Sequence, residues 1–144
     1  MREPLHDTLM LPTRLAAIDD ARRWASGHAR GAQLDPIAIE EIEVAMTEAL
    51  SNVIAHSYDE RPDEQVLLSL DIDDERLALG IRDRGRPFDP ARYTAPDLDE
   101  PGEGGYGVHL MKQFMDEVTR RPLEDGGTLV LLVRYRSANR TEHP

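Results

Sequence analysis

Gln65-Val66-Leu67-Leu68-Ser69-Leu70-Asp71-Ile72-Asp73-Asp74-Glu75-Arg76-Leu77-Ala78-Leu79-Gly80-Ile81-Arg82-Asp83 is the stretch on which the fold turns. Successive side chains of an extended chain point to opposite sides, so Val66, Leu68, Leu70 and Ile72 share one face, and Leu77, Leu79 and Ile81 share another of the same kind. Asp73-Asp74 between the two runs is turn chemistry. The pattern predicts an antiparallel hairpin with one side turned to a core.

Upstream the period lengthens. Asp35-Pro36 is a sharp helix start, because the Asp side chain accepts from free N–H groups and Pro at the first helical position has its φ preset. The helix predicted from there runs to about Tyr58, with Ile42, Ala45, Met46, Ala49 and Val53 as its apolar stripe and neither Gly nor Pro from Ile39 to His56. Thr8 to Leu11 reads as a strand ending at Pro12. Thr13 is then expected to cap a helix carrying Leu15, Ile18, Ala21 and Ala25, stopped near Gly27 to Gly31.

Downstream of the hairpin, Asp83 to Gly107 holds five of the ten glycines and four of the ten prolines, which marks it as one long loop. A loop of that length inside a small domain points to function or disorder, and its glycines with a helix behind them favour function. Val108, Met111, Met115 and Val118 predict the helix that follows. Two last strands, near Glu117 to Leu123 and Thr128 to Tyr135, meet at Glu124-Asp125-Gly126-Gly127, and the polar tail from 137 to 144 is expected to fray. The order predicts an α+β fold: a two-layer α/β sandwich with helices on one face of a mostly antiparallel, mixed sheet. At 144 residues the chain is expected to form one domain over residues 1–144.

Composition narrows the function classes. With 40% hydrophobic and 31% charged residues the chain is of the ordinary globular kind. No apolar run approaches the length of a membrane span, and Met1-Arg2-Glu3-Pro4 lacks the apolar stretch of a signal peptide, so a cytoplasmic protein without membrane attachment is expected. The absence of cysteine removes disulfides, thiolate metal sites and Cys nucleophiles. Seventeen basic against 28 acidic residues give a net charge of −11, which repels nucleic-acid phosphate and argues against direct nucleic-acid binding. A nucleotide would meet the same repulsion. Any site for one has to be built locally from backbone N–H groups, a helix N-terminus and a divalent cation.

Four short elements carry candidate chemistry. Glu48 and Asn52, four apart on the long helix, project from one face beside the apolar stripe; they suit a carboxylate that orients a nucleophile and a carboxamide that holds a hard cation, and they also suit an exposed polar face. Asp83 ends a strand two residues before Gly85, where it can accept from an exocyclic amine while the bare glycine admits a flat ring; a plain turn uses the same residues. Gly102-Glu103-Gly104-Gly105-Tyr106-Gly107 opens onto a helix, an arrangement of converging amides that suits a polyphosphate, although flexible lids look alike. Gly127-Thr128 enters the last strand and is compatible with an ordinary hairpin. The five histidines form no zinc-like pair, Ser51 and Ser57 lack nucleophile-elbow glycines, and Trp24, Met111, Phe114 and Met115 read as packing.

In chain order these elements resemble the boxes of the histidine-kinase-like ATPases. Glu48-Ala49-Leu50-Ser51-Asn52 is similar to their N box, Asp83-Arg84-Gly85-Arg86-Pro87-Phe88 to their D-x-G-x-x-F box, Gly105-Tyr106-Gly107 to the second glycine box, and Gly127-Thr128 to the short G-T element. The resemblance spans roughly residues 8 to 135. Within that superfamily His56-Ser57-Tyr58 and Met111-Lys112-Gln113-Phe114-Met115-Asp116-Glu117-Val118 resemble the anti-sigma-factor serine kinases of bacterial partner-switching systems.

That resemblance implies a Mg²⁺-ATP site under a lid at about 89–107 and a homodimer that sequesters a sigma factor. It also implies phosphorylation of a serine on a small anti-anti-sigma antagonist of the STAS type. Position by position it makes Glu48 the general base and Asn52 the Mg²⁺ ligand. Asp83 would accept the adenine amino group, Gly85 give the ring room, Gly105 and Gly107 line the phosphates, and Thr128 help hold the base. Two departures stand out: Ser57 replaces the usual glycine, which a helix running one residue further would tolerate, and the stretch Tyr93 to Gly107 has four acidic and no basic residues. The γ-phosphate charge is then left to Mg²⁺ and side chains such as Lys112, which implies slow turnover. Two other readings are a nucleotide-dependent binding module with weak or no transfer, and a detached sensor histidine kinase catalytic domain. The second is disfavoured by the absence of an upstream helix bearing a phospho-acceptor His.

Overall fold

The computed structural model describes residues 3–57, 64–84, 110–124 and 126–136. Strand β1 (Leu5–Pro12) leads through a 3-10 turn (Leu15–Ala17) into α1 (Ile18–Gly31), and α2 (Pro36–Asn52) follows. A π-helical turn (Val53–Ser57) extends α2, β2 (Gln65–Ile72) and β3 (Arg76–Asp83) form the hairpin, and a short helix, α3 (110–114), precedes β4 (Glu117–Pro122) and β5 (Thr128–Tyr135). The sheet order is β1-β2-β3-β5-β4 and all four pairings are antiparallel.

The predicted hairpin is present with its predicted faces. Val66, Leu68, Leu70, Ile72, Leu77, Leu79 and Ile81 are all buried, and Asp73 closes the turn by accepting from the N–H groups of Glu75 (2.8 Å) and Arg76 (2.9 Å). Those two hydrogen bonds favour the ionised carboxyl and hold the Asp73 pKa below its ordinary value. The layer facing the hairpin is helical: Ile42, Ala45, Met46, Ala49 and Leu50 of α2, with Ala21, Ala25 and Ala29 of α1, join the strand residues in one core. Alanines on α1 let the two helices lie close, and Ser26 of α1 donates to the Glu43 carboxylate of α2 across that contact.

Thr13 does not cap α1. Its N–H and hydroxyl donate to the Glu64 carbonyl (3.0 and 3.2 Å) and its hydroxyl accepts from the Glu64 N–H (3.2 Å), so Thr13 continues the β1–β2 pairing. The helix enters through the 3-10 turn instead, with no side-chain cap. β1 also begins earlier than hydropathy indicates, at Leu5. Its polar residues are used across elements: His6 faces Asp71 at 2.6 Å, and Asp7 accepts from Trp24 Nε1 (2.9 Å) and lies 2.7 Å from His28 Nε2. The Trp24, His28 and Thr8 N–H hydrogen bonds keep the Asp7 carboxyl below its ordinary range.

α2 spans the sheet from one end to the other. Arg136 donates to the carbonyls of Ala32 (2.7 Å), just past α1, and Asp73 (3.0 Å), at the β2–β3 turn, so the α1–α2 connection lies at the turn end of the sheet. Seventeen helical residues rise about 26 Å, close to the roughly 27 Å of an eight-residue strand. The C-terminal turn of α2 therefore arrives at the other end, where β3 finishes.

Candidate nucleotide site

At that end of the sheet Val66, Asp83 and Thr128 lie in one row, Asp83 being the register partner of both neighbours. Residues distant in sequence, Asp83 and Thr128, are thus adjacent in space, and both are buried, at 1% and 6% exposure. A carboxylate so withdrawn from water is held by hydrogen bonds rather than by hydration. Gly127 belongs to the same contact. A β-carbon there would fall on the carbonyl oxygen of Asp83, 3.1 Å from its carbonyl carbon and 3.3 Å from Cα of Arg84. The turn glycine of this hairpin is its neighbour Gly126, with φ at 95°. Gly127 instead lets β5 come close enough to seat Asp83, a role that sequence reading missed because the contact is across strands.

Asp35 initiates α2 by accepting from the Ile37 N–H, with Pro36 in the first turn. The helix delivers Glu48 and Asn52 on its last turn, both half-buried, one turn apart on the same side. Directly after Asn52 the chain widens into the π turn, a distortion frequent at functional sites and unreadable from residue pattern. It carries the helix on through Ser57, the extension expected of a chain lacking glycine there. Glu48 also shares a face with Val44 and Ile37, exposed at 39% and 65%, at spacings of four and eleven. Among the described residues that side of α2 leaves Ile37 and Val44 exposed.

The fold thus brings Glu48 with Asn52, and Asp83 with Thr128, to the same end of the molecule. Gly85, Gly105 and Gly107, the stretch 89–107, and the side chains of His56, Ser57 and Tyr58 lie outside the described residues. Beyond them the chain re-enters at α3, where Met111 and Met115 are buried in the core and Lys112, the single lysine of the chain, is exposed.

Residues 11–134 match the model of the histidine kinase-like ATPase domain. The chain is 34% identical over 118 residues to the anti-sigma F factor of Bacillus velezensis, covering 76% of this chain and 79% of that protein. It is 31% identical over 113 residues to the serine-protein kinase RsbW of Bacillus subtilis, covering 73% and 69%. The fold is shared with the crystal structure of the RsbU and RsbW domains of a Mycobacterium tuberculosis protein, with TM-score 0.66 and 18% identity, over 93% of this chain and 33% of that one. It is shared also with the histidine kinase domain of an Erythrobacter litoralis blue-light activated histidine kinase, with TM-score 0.56 and 23% identity, over 90% and 64%. With a paired carboxylate and threonine at one sheet end, a helix bringing Glu48 and Asn52 to it, and these likenesses, the chain belongs to the histidine kinase-like ATPase family, in the branch of the anti-sigma F factors and RsbW serine kinases.

Proposed function

We propose that this protein is an ATP-binding anti-sigma factor and serine kinase, which holds a sigma factor and phosphorylates a small STAS-type antagonist. The observation that carries the reading is the buried Asp83–Thr128 pair, seated by Gly127, at the sheet end reached by Glu48 and Asn52. The residues fit the nucleotide. Asp83 would offer an acceptor for the adenine amino group at a buried strand end, with Thr128 as its register partner; by the family resemblance Gly85 would leave room for the ring and Gly105 and Gly107 would offer backbone amides to the phosphates. Asn52 offers its carboxamide oxygen to Mg²⁺, a cation that prefers oxygen ligands.

Mg²⁺-ATP supplies the phosphoryl group and the charge neutralisation that its transfer requires. The chain's own contribution is positioning and one proton. Glu48 accepts the hydroxyl proton of the incoming serine, and the open side of α2 with Ile37 and Val44 gives a protein substrate access to it. Sigma-factor sequestration, the homodimer and a cytoplasmic setting complete the proposal; among the described residues no helix is long and apolar enough to cross a membrane.

Incubation with γ-labelled ATP and a candidate antagonist tests the reading, label on an antagonist serine being the expected result. A nucleotide-dependent binding module without transfer would bind ATP and leave the antagonist unlabelled. Asp83→Asn is expected to weaken ATP by about 1.5–3 kcal/mol, the worth of a hydrogen bond to a charged group, and equal calorimetric affinity in the two chains would remove Asp83 from the adenine contact. Asn52→Ala is expected to lose the Mg²⁺-dependent increment of ATP affinity. Titrations with and without the cation measure it, and an unchanged increment would exclude Asn52 as a ligand.

A further inference from the structure

The outward side of α2 is partly apolar, although the core makes no use of it there. Ile37 and Val44 are two of the four large apolar side chains exposed among the described residues. The other two, Met10 and Leu15, stand on separate elements, β1 and the 3-10 turn, and apolar residues scattered singly over a surface are ordinary. Ile37 and Val44 instead share one stripe. At 3.6 residues per turn, Ile37, Glu40, Glu41, Val44 and Glu48 fall within an arc of about 100° and over a rise of about 16 Å. Met46 and Leu50, fully buried, point the opposite way into the core.

The charges on this helix are all of one sign. α2 holds four glutamates and no basic residue. Two of them are engaged within the fold: Glu43 accepts from Ser26 of α1, and Glu41 Oε1 lies 3.1 Å from Nη2 of the buried Arg134 on β5. Glu40 and Glu48 have no hydrogen-bond or ion-pair partner among the described residues. Arg134 thus offsets the charge in the middle of the stripe. An unpaired carboxylate at Glu40 flanks the two apolar side chains, and another at Glu48 stands one turn beyond Val44.

We propose that this stripe is the docking surface for the serine-bearing antagonist protein, whose matching surface presents apolar side chains to Ile37 and Val44 and a basic side chain to Glu40. The inference rests on the proposed kinase reading and deepens it. Charge decides the chemistry of the occupant: two unpaired carboxylates on a chain of net charge −11 repel an acidic surface and attract a basic one. Position decides between partners. Only the antagonist has to bring a hydroxyl to Glu48, which continues the same stripe past Val44. A second copy of this chain is disfavoured, because an isologous contact would set the acidic stripe against itself.

The test uses the STAS-type protein that accepts label in the assay above, and measures its KM and kcat in steady-state transfer at saturating Mg²⁺-ATP. Ile37→Ser combined with Val44→Ser is expected to raise KM about tenfold, the usual scale for truncating interface anchors, with kcat and ATP affinity left within about twofold. Glu40→Lys is expected to raise KM by a similar factor, and it provides the readout if the double variant does not fold. Glu40→Gln should flatten the rise of KM with salt that the unsubstituted chain shows. A fall in kcat at constant KM, a matching loss of ATP affinity, or native KM in the folded variants would each overturn the inference. Native KM with weakened sigma-factor binding would overturn it too, by giving the stripe to the sigma factor. Absence of label on any antagonist with the unsubstituted chain would instead overturn the kinase reading beneath it.

Discussion

Glu48→Ala is expected to cut transfer to the acceptor serine by about 10²–10⁴-fold, the usual worth of a positioned general base, with ATP affinity left within about twofold. The asymmetry follows from where the residue stands. Glu48 lies on the same side of α2 as Asn52, one turn earlier, and beside exposed Val44, where the proposed reading has the protein substrate arrive, whereas it assigns adenine to Asp83 and Thr128 on β3 and β5. Single-turnover labelling of the antagonist, with calorimetry on the same sample, separates the two quantities. Transfer at the native rate would assign the proton to another group, and a matching collapse of ATP affinity would make Glu48 part of the nucleotide contact. Glu48→Gln sharpens the comparison, since it keeps the shape and hydrogen-bonding reach but not the basicity.

Gly127→Ala is expected to damage stability and nucleotide binding together. The added methyl falls on the Asp83 carbonyl, with the Asp83 carbonyl carbon and Arg84 Cα also close, and strand backbone cannot rotate aside as a side chain can. Overpacking of this kind costs about 3 kcal/mol, the upper end of the ordinary range. For a chain of this size that lowers Tm by about 10 °C. Relief requires β3 and β5 to part where Asp83 and Thr128 pair, so ATP affinity should fall even well below the melting temperature. Gly126→Ala is the control: its positive φ makes alanine strained at the turn itself, one residue away from the Gly127 contact. It should lower Tm and spare ATP affinity. Native ATP affinity in folded Gly127→Ala would refute the role given to this glycine.

Elements whose signal is local were legible in the sequence. The β2–β3 hairpin follows from alternation and Asp73, and α2 from Asp35-Pro36 and its stripe, because turn chemistry and burial act there within a few residues. Elements decided by distant partners were not. Thr13 has the chemistry of a cap, yet its hydroxyl is taken by Glu64 across the sheet. The first residues of β1 look too polar for a strand until His6 meets Asp71 and Asp7 meets Trp24 and His28. At the site, Glu48, Asn52, Asp83 and Thr128 were visible as residue types in order, but their pairing was not. Gly127 reads as a turn residue, and only its three-dimensional contact with the Asp83 carbonyl gives it a job.

The chain departs from β3 at Asp83, rejoins the sheet in β4 at Glu117, and returns to Asp83 itself only at Thr128, its register partner on β5. Everything between Asp83 and Thr128, α3 and β4 included, is an excursion whose two feet stand side by side. Joining those feet is already accomplished by the strand ladder, so lengthening the excursion adds little further entropy loss, rising only with the logarithm of its length. A scaffold of this design can change the length of that excursion without renegotiating the strand pairing at its feet.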